Sequence, residues 1–193
     1  MESGLRDLSE RARRLERGLV VAGVAVLLVL AIKAGRHHVF LDNFGTVVED
    51  RLYRSGQLTP GQLEDVIRKY GLRTVVNTRE SEAPPGLMEA EREACVQNGV
   101  DMVRIPMPGD GRGDYDQYEL ALSILRDTNR LPALVHCARG THRTGALIAS
   151  YRVLEQDWEI AEALREMKQY RFDPRNHPLS PHLRAFLEDR GGG

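Results

Sequence analysis

Residues 131–151, which read LPALVHCARGTHRTGALIASY, decide how this chain folds. Residues 131–135 form an apolar run with the length of a buried strand. Residues 144–151 carry the pattern of a helix that begins after a polar loop. The sequence therefore predicts a strand, a tight loop and a helix in direct succession.

The loop between these two elements contains Cys137 and, after five intervening residues, the triplet Arg143, Thr144 and Gly145. Backbone N–H groups and the positive end of a helix dipole converge on any anion bound there, and they lower the pKa of a nearby cysteine. The guanidinium of Arg143 can hold two phosphoryl oxygens, and Thr144 can donate a hydrogen bond to the sulfur. Gly140 and Gly145 allow the backbone to turn tightly and to approach a ligand closely. This combination predicts phosphoryl transfer through a covalent intermediate on Cys137.

Each of these residues also has a simpler interpretation when it is taken alone. A single cysteine at the end of a buried strand is usually a small apolar side chain, and an arginine near the start of a helix is often only solvated. The complete pattern Cys-x5-Arg-Thr-Gly between a strand and a helix favours the catalytic interpretation.

This pattern resembles the signature of the cysteine-dependent protein-tyrosine phosphatase superfamily, in its dual-specificity branch. It is most similar to the atypical dual-specificity phosphatases first described in plants and fungi, which carry a Cys-x-x-Gly-Lys-His-Arg-Thr-Gly loop and include enzymes acting on inositol pyrophosphates. Thr141 stands where that group has lysine, which weakens the transfer of this substrate preference. The resemblance covers roughly residues 42–189 and includes residues 43–44, 52–55, 74–77 and 152–158.

The resemblance also implies roles for the residues of the loop. Cys137, Arg143 and Thr144 correspond to the catalytic groups, and His136 corresponds to the residue that orders the loop and tunes the thiolate. The other loop positions correspond to substrate-binding residues, and the resemblance favours a substrate contact for His142 over plain exposure to solvent. These positions are Ala138, Arg139, Gly140, Thr141, His142 and Gly145.

In the superfamily, an aspartate upstream of the cysteine protonates the leaving group. The candidates in a suitable loop are Asp110, Asp114 and Asp116, of which Asp110 is preferred because it directly follows a predicted strand. Asp114 is the second choice, and Asp116 is expected to be the N-cap of the next helix. A Gly-Asp-Gly sequence is also common in ordinary turns, so the alternative to catalysis at Asp110 is a turn.

The sequence predicts an α/β fold with a mostly parallel central sheet and helices on both faces, similar to dual-specificity phosphatases. The central strand is expected at residues 131–136, and a small strand pair near the sheet edge is expected within residues 47–55. Thr59 and Pro60 begin a helix that Gly71 ends. Further strands are expected at 72–77 and 100–107, and helices at 86–98, 116–128, 144–155, 159–170 and 181–189.

The N-terminal part differs in composition from the rest. We expect a charged amphipathic leader at residues 1–17, a transmembrane anchor at 18–35, a linker at 36–42 and a phosphatase domain at 43–190. The uncharged run at 18–32 spans roughly 22 Å as a helix, against about 30 Å for the hydrocarbon core. A signal peptide and a buried core helix are the alternatives, but the long charged leader argues against the first.

The charge distribution places the N-terminus of such a single-pass protein in the cytoplasm, because five arginines precede the apolar run and only Lys33 and Arg36 closely follow it. This orientation puts the catalytic domain across the membrane, whereas a free thiol is more natural in a reducing cytoplasm. The side of the membrane on which the catalytic domain lies is therefore left open.

Composition limits the partners and cofactors. The net charge of −1 gives no indication of nucleic-acid binding, and the 6 histidines show no metal-ligand spacing, so neither a metal nor a cofactor is expected. Cys95 is expected in the core; a regulatory disulfide with Cys137 is the alternative. The expected partners are a phosphorylated protein or inositol phosphate as substrate and a membrane bound through the N-terminal helix, and the oligomeric state is left open.

Two other functions remain as alternatives to a phosphatase. A rhodanese-type sulfurtransferase also uses cysteine in an anion-binding loop, although the five-residue spacer before Arg-Thr-Gly argues against it. The second alternative is a membrane-tethered, non-catalytic phosphate-binding module. The basic residues Lys168, Arg171 and Arg175 are equally compatible with a solvated face and with a phosphate-rich pocket.

Overall fold

The computed structural model describes residues 18, 22–24, 41–82, 84–175 and 177–191. The chain divides into two compact units, residues 1–40 and 41–193. In the first unit, Gly18 and residues 22–24 are helical. The predicted leader, nearly all of the predicted anchor and most of the predicted linker lie outside the described residues. Within the described ranges, no helix is both long and apolar enough to cross a membrane.

The second unit is built on a five-stranded sheet. Its strands are β1 (Gly45–Val48), β2 (Leu52–Ser55), β3 (Thr74–Asn77), β4 (Asp101–Arg104) and β5 (Ala133–His136). The strand order is β1-β2-β5-β3-β4, and only the edge strand β1 pairs antiparallel, with β2. β5 lies between β2 and β3 and is parallel to both. The predicted, mostly parallel sheet with β5 at its centre is therefore confirmed.

Among the described residues of this unit, six α-helices accompany the sheet. They are α1 (Pro60–Tyr70), α2 (Leu87–Gln97), α3 (Tyr115–Arg126), α4 (His142–Gln156), α5 (Ile160–Gln169) and α6 (Leu179–Gly191), and a short 3₁₀ turn covers Thr128–Arg130.

The helices cover both faces of the sheet. Successive residues of β5 point to opposite faces, so Leu134 packs in one apolar cluster and Val135 in the other. The Leu134 cluster contains side chains of α1 and α2. The Val135 cluster contains side chains of α3, α4, α5 and α6. Because both faces are buried, every residue of β5 is buried, as its continuous apolar sequence predicts.

The predicted ends of α1 are confirmed. Thr59 is the N-cap, Pro60 occupies the first turn, and Thr59 and Gln62 form a capping box that satisfies two backbone N–H groups. Gly71 ends the helix in the left-handed conformation, with φ 59°.

Other boundaries differ from the prediction. Asp116 is not the N-cap of α3, because the helix begins at Tyr115 and Asp114 is the N-cap, with its backbone N–H donating to Gln117 Oε1 at 2.9 Å. The helix predicted at 144–155 begins at His142, and the helix predicted at 181–189 covers Leu179–Gly191. The strands predicted at 72–77 and 100–107 are shorter and contain four residues each.

Candidate active site

The end of β5 and the start of α4 position a loop at residues 137–141, with Cys137 at its base. Cys137 is 3% exposed, and the backbone N–H of Gly140 donates to its Sγ at 3.1 Å. Gly140 has φ 65°, and a Cβ there would lie 2.7 Å from the carbonyl carbon of Ser55. The loop can approach β2 this closely only because residue 140 is glycine.

The surroundings of Cys137 favour its thiolate. Burial alone would raise the pKa of the thiol, but the neighbouring Thr144 hydroxyl, the backbone N–H groups of Thr144 and Arg139, and the charge of Arg143 lower this pKa below its ordinary value. Thr144 is fully buried beside the sulfur. The reactive form of cysteine is therefore stabilised in the loop.

The Arg143 side chain is held by backbone carbonyls that follow β3 and β4. Its Nη1 donates to the backbone oxygen of Thr78, after β3, at 3.3 Å and to that of Met107, after β4, at 3.4 Å. The guanidinium lines the same pocket as Cys137. These two carbonyls hold the arginine in place before any anion binds, which limits the entropy lost on binding.

An open pocket of about 490 Å³ lies above the sulfur. Three arginines and one histidine line it, against a single carboxylate, Asp42, which pairs with Arg171 at 3.1 Å. The pocket is therefore suited to an anion that carries several negative charges. Its lining consists of Asp42, Gly109, Cys137, Ala138, Arg139, Thr141, His142, Arg143 and Arg171.

The carbonyl groups of the loop are held from outside. The carbonyl of Ala138 accepts from the backbone N–H of Gln57 at 3.0 Å, and that of Arg139 accepts from Asn43 Nδ2 at 2.7 Å. The next carbonyl, of Gly140, accepts from Arg54 Nη2 at 2.6 Å. Because three successive carbonyls are bound outside the loop, its N–H groups are free to face the sulfur and a bound anion.

A buried polar network supports the loop beneath His136. His136 Nε2 lies 2.5 Å from Glu91 Oε1. The other carboxylate oxygen, Glu91 Oε2, accepts from Gln57 Nε2 at 3.0 Å and from Asn77 Nδ2 at 3.1 Å. Burial alone would raise the pKa of Glu91, but the hydrogen bond with His136 and the other donors lower it. Glu91 is thus held as a carboxylate beneath the loop.

Asp110 does not line the pocket, although its neighbour Gly109 does. Its carboxylate accepts from the Arg112 backbone N–H at 3.0 Å and from Arg112 Nε at 2.8 Å. Burial would raise the pKa of Asp110, but these hydrogen bonds lower it. The second candidate, Asp114, caps α3 instead.

His142 lies at the pocket wall, and its ring centre is 4.6 Å from that of His177. Burial and, after it, the neighbouring His177 lower the pKa of His142, so its neutral form is favoured. A neutral imidazole here can donate one hydrogen bond to a substrate oxygen without adding a full charge.

The structure supports the core position predicted for Cys95. Both cysteines are free, and Cys95 is fully buried in the apolar cluster shared with α1 and α2. Burial raises the pKa of Cys95 to about 12, so this thiol is unreactive at neutral pH. Over the described part of the chain, no group of three or more His, Cys, Asp or Glu side chains is arranged to hold a metal ion.

Comparisons with known proteins agree with this geometry. Residues 37–180 match the family described as "DSP-PTPase phosphatase fused to NAD+ Kinase". The chain is 30% identical over 133 residues to the "Putative tyrosine-protein phosphatase OCA1" of Mycosarcoma maydis, covering 66% of this chain and 79% of that relative. The chain belongs to the dual-specificity branch of the protein-tyrosine phosphatases.

This phosphatase is also similar to a plant inositol diphosphatase in sequence and to a yeast phosphatase domain in structure. It is 31% identical over 130 residues to the "Inositol diphosphatase DSP3" of Arabidopsis thaliana, covering 64% of this chain and 60% of that relative. Among solved structures, the core catalytic domain of the PP-IP phosphatase SIW14 from S. cerevisiae, in complex with citrate, has a TM-score of 0.67 and 23% identity. That likeness covers 79% of this chain and 90% of the solved domain, and it shows a shared fold.

The structure brings the predicted loop residues of this phosphatase together around one pocket, and it places against the loop further residues that were not among the predicted ones. Arg54 and Asn43 lie in stretches that carry the family resemblance, yet their spacing gave no role to either. The sequence signal for Arg54 is a charged residue inside a short strand, and the structure shows that all four residues of this strand are buried. Asp42 and Glu91 gave no comparable signal in the sequence.

Proposed function

We propose that this phosphatase hydrolyses its substrate through a phosphocysteine intermediate. The Cys137 thiolate attacks phosphorus, and the bond from phosphorus to the leaving oxygen breaks with its electron pair going to that oxygen. Arg143 and the loop N–H groups bind the equatorial oxygens of the transferring phosphoryl group. Water then attacks phosphorus, the S–P bond breaks, and inorganic phosphate leaves as the thiolate is restored.

The observation that carries this proposal is the convergence of donors on one buried sulfur. Cys137 accepts from the loop backbone and faces the Thr144 hydroxyl, while Arg143 lines the same pocket. A non-catalytic phosphate-binding module needs the donors but has no use for a stabilised thiolate. Replacement of Cys137 by serine separates the two functions, because binding of phosphate should survive and turnover should disappear.

We further propose a phosphoanhydride as the preferred substrate, such as the terminal diphosphate of a polyphosphorylated small molecule. A departing phosphate has a pKa of about 6 and a phenol a pKa of about 10, so only the phenol depends strongly on a proton donor. Asp110 is bound to Arg112 and does not line the pocket, and Asp42 is paired with Arg171. The names of DSP3 and SIW14 point in the same direction, and Arg139 and Arg171 add positive charge where Thr141 replaces the lysine of the family loop.

A two-substrate comparison tests this proposal. We expect kcat/KM for an inositol pyrophosphate to exceed that for a phosphotyrosine peptide. Asp110→Asn should change the hydrolysis of both substrates by less than about twofold, because Asp110 is bound to Arg112 and does not line the pocket, so it protonates neither leaving group. Glu119→Gln, which alters a partly exposed ion-pair partner on α3, is the matched control and should change neither rate.

Two results would contradict the substrate preference. A phosphotyrosine peptide that is hydrolysed faster than the pyrophosphate would reverse it. A loss of phosphotyrosine hydrolysis of about tenfold or more in Asp110→Asn, with pyrophosphate hydrolysis unchanged, would show that Asp110 protonates a poor leaving group and would remove the reason for the preference. Residual turnover in Cys137→Ser comparable with the unmodified protein would overturn the phosphocysteine mechanism itself.

A further inference from the structure

Arg54 is a buried arginine that reaches the back of the catalytic loop. It lies on β2, is 1% exposed, and is among the largest fully buried side chains. Its Nη2 donates to the carbonyl of Gly140 at 2.6 Å, across 86 residues of sequence. The centre of the guanidinium lies 3.5 Å from the centre of the Tyr170 ring, which covers its other side.

Unlike Arg152, which is also buried, Arg54 forms no ion pair with a carboxylate in the described part of the chain. Arg152 Nη2 lies 2.7 Å from Glu166 Oε1, whereas Nε and Nη1 of Arg54 find no hydrogen-bond acceptor among the described residues. A buried cation with unsatisfied donors lowers the stability of the folded chain. The position of Arg54 therefore needs an explanation other than stability.

Arg54 is charged at the pH at which the enzyme works. Burial, the largest influence, lowers the pKa of its guanidinium to about 10, while attraction to Tyr170, to Glu166 and to Cys137 opposes that shift. A pKa of about 10 still leaves the group protonated at neutral pH. A full positive charge thus lies behind the loop whose sulfur must be an anion.

We propose that Arg54 is a positioning residue for the hydrolysis proposed above: its charge stabilises the Cys137 thiolate from behind the loop, and its hydrogen bond holds the Gly140 carbonyl outward. Arg143 approaches the loop from the β3 and β4 side, and Arg54 approaches it from β2, so β5 and the sulfur lie between two guanidinium groups. The bound Gly140 carbonyl fixes the peptide that directly follows Gly140, and thereby limits the movement of the residue whose N–H group donates to the sulfur.

Arginine suits this position better than lysine for three physical reasons. The guanidinium of arginine donates a hydrogen bond to the Gly140 carbonyl while its planar face stacks on the Tyr170 ring. Its charge is delocalised and weakly hydrated, so burial costs less than for an ammonium group. Lysine would keep the charge near the loop but would lose the stacking and the fixed direction of the hydrogen bond.

Two substitutions separate the charge of Arg54 from its geometry. In Arg54→Met, the pH midpoint for alkylation of Cys137 by iodoacetamide should rise by about one unit, which reduces kcat/KM below that midpoint about tenfold. In Arg54→Lys, the midpoint should stay within a few tenths of a unit while kcat falls, because the Gly140 carbonyl loses its fixed partner. Peptide mass spectrometry distinguishes Cys137 from the unreactive Cys95.

A matched control excludes a general effect of losing a buried arginine. Arg152→Met removes the arginine that is paired with Glu166, so its melting temperature should fall while the Cys137 alkylation midpoint stays unchanged. Arg54→Met should show the opposite behaviour, with a changed midpoint and little loss of melting temperature. The other titratable or charged groups around Cys137 are Arg139, Arg143, His142, the Asp42–Arg171 pair and the His136–Glu91 pair, and none of them is altered in these variants.

If Arg54→Met does not fold, Tyr170→Leu provides the test. This variant leaves Arg54 in place but uncovers its guanidinium, so water should screen the charge and the midpoint should rise by less than in Arg54→Met. An unchanged midpoint in Arg54→Met, or in Tyr170→Leu where Arg54→Met does not fold, would overturn the role of Arg54. Alkylation needs no turnover, so a raised midpoint in a protein that hydrolyses no phosphate would refute the proposed function and leave this inference standing.

Discussion

At the scale of single residues, the chemistry of this protein depends on which donors face one sulfur. The Thr144 hydroxyl is buried beside Cys137, and Thr144 lies in the first turn of α4, where backbone N–H groups have no partner within the helix. Its side chain and its backbone therefore both stabilise a negative sulfur. This stabilisation matters twice, when the thiolate attacks and when it leaves the phosphocysteine.

Replacement of Thr144 by valine should slow the second step more than the first. Valine keeps the shape of the side chain but removes the hydroxyl donor, and a hydrogen bond to a charged group contributes about 1.5–3 kcal/mol, or about 10-fold to 100-fold in rate. Rapid-quench measurements should therefore show a burst of the leaving group followed by slow turnover, with phosphocysteine accumulating. Thr141→Val, which removes another hydroxyl of the loop, is the control and should show no burst. A uniform slowing of both steps in Thr144→Val would contradict a role in the departure of the sulfur.

The residue scale also explains what the sequence could predict about the site. Cys137 and Arg143 lie six positions apart in one loop, so their approach follows from the local strand-loop-helix geometry. Arg54 and Asn43 contact the same loop across 86 and 96 residues of sequence. Those contacts require β2 to pair with β5, which no local pattern specifies.

At the scale of elements, α2 supports the loop through one buried carboxylate. Glu91 lies on α2 and reaches under β5 to His136, where Gln57 and Asn77 also donate to it. Its pKa is lowered in the folded protein, so its contribution to stability is present above the ordinary pKa and is lost as the pH falls through the folded value.

Replacement of Glu91 by glutamine should therefore destabilise the protein in a pH-dependent way. Removing one partner of a buried pair costs about 3 kcal/mol, and the glutamine NH2 group would also face donors. Thermal unfolding should show a clear loss of melting temperature at pH 7 that shrinks at an acid pH below the lowered pKa of Glu91, where this carboxyl is protonated in the unmodified protein as well. Glu89→Gln, on the same helix but in an exposed pair with Arg92, should change the melting temperature little. A loss of equal size at both pH values would show that the charge of Glu91 contributes nothing.

The helix boundaries show where local patterns are insufficient. The apolar pattern of α4 starts at Thr144, but the helix itself starts at His142 because Arg143 and Thr144 must lie in its first turn to face the anion. In the same way, Asp114 caps α3 because Gln117, three residues later, completes the capping box. Both boundaries depend on hydrogen bonds at the helix end, to which the spacing of apolar residues is insensitive.

At the scale of the whole molecule, the alternation of strands and helices was enough to predict a parallel sheet with β5 in the middle. Parallel strands need crossover helices, and a strand covered on both faces is apolar throughout, as β5 is. The order of β2 and β3 on either side of β5 could not be read in the same way, because it depends on contacts between distant segments. The carboxyl ends of these parallel strands meet at the loop, which explains why Arg54, Thr78 and Cys137 converge there.

The predicted membrane anchor at residues 18–35 rests on the sequence alone, and it can be tested on the full chain. The apolar run at 18–32 contains no charge, and a charged residue at the centre of such a run costs about 3 kcal/mol on insertion into a bilayer. Val26→Asp in the full chain should therefore release the protein from membranes washed with alkaline carbonate, whereas Val26→Ala should remain in the pellet with the unmodified protein. Hydrolysis of a small aryl phosphate should be equal in the three proteins, since Val26 lies outside the phosphatase domain. Recovery of all three in the soluble fraction would refute the anchor while leaving the catalytic site as described.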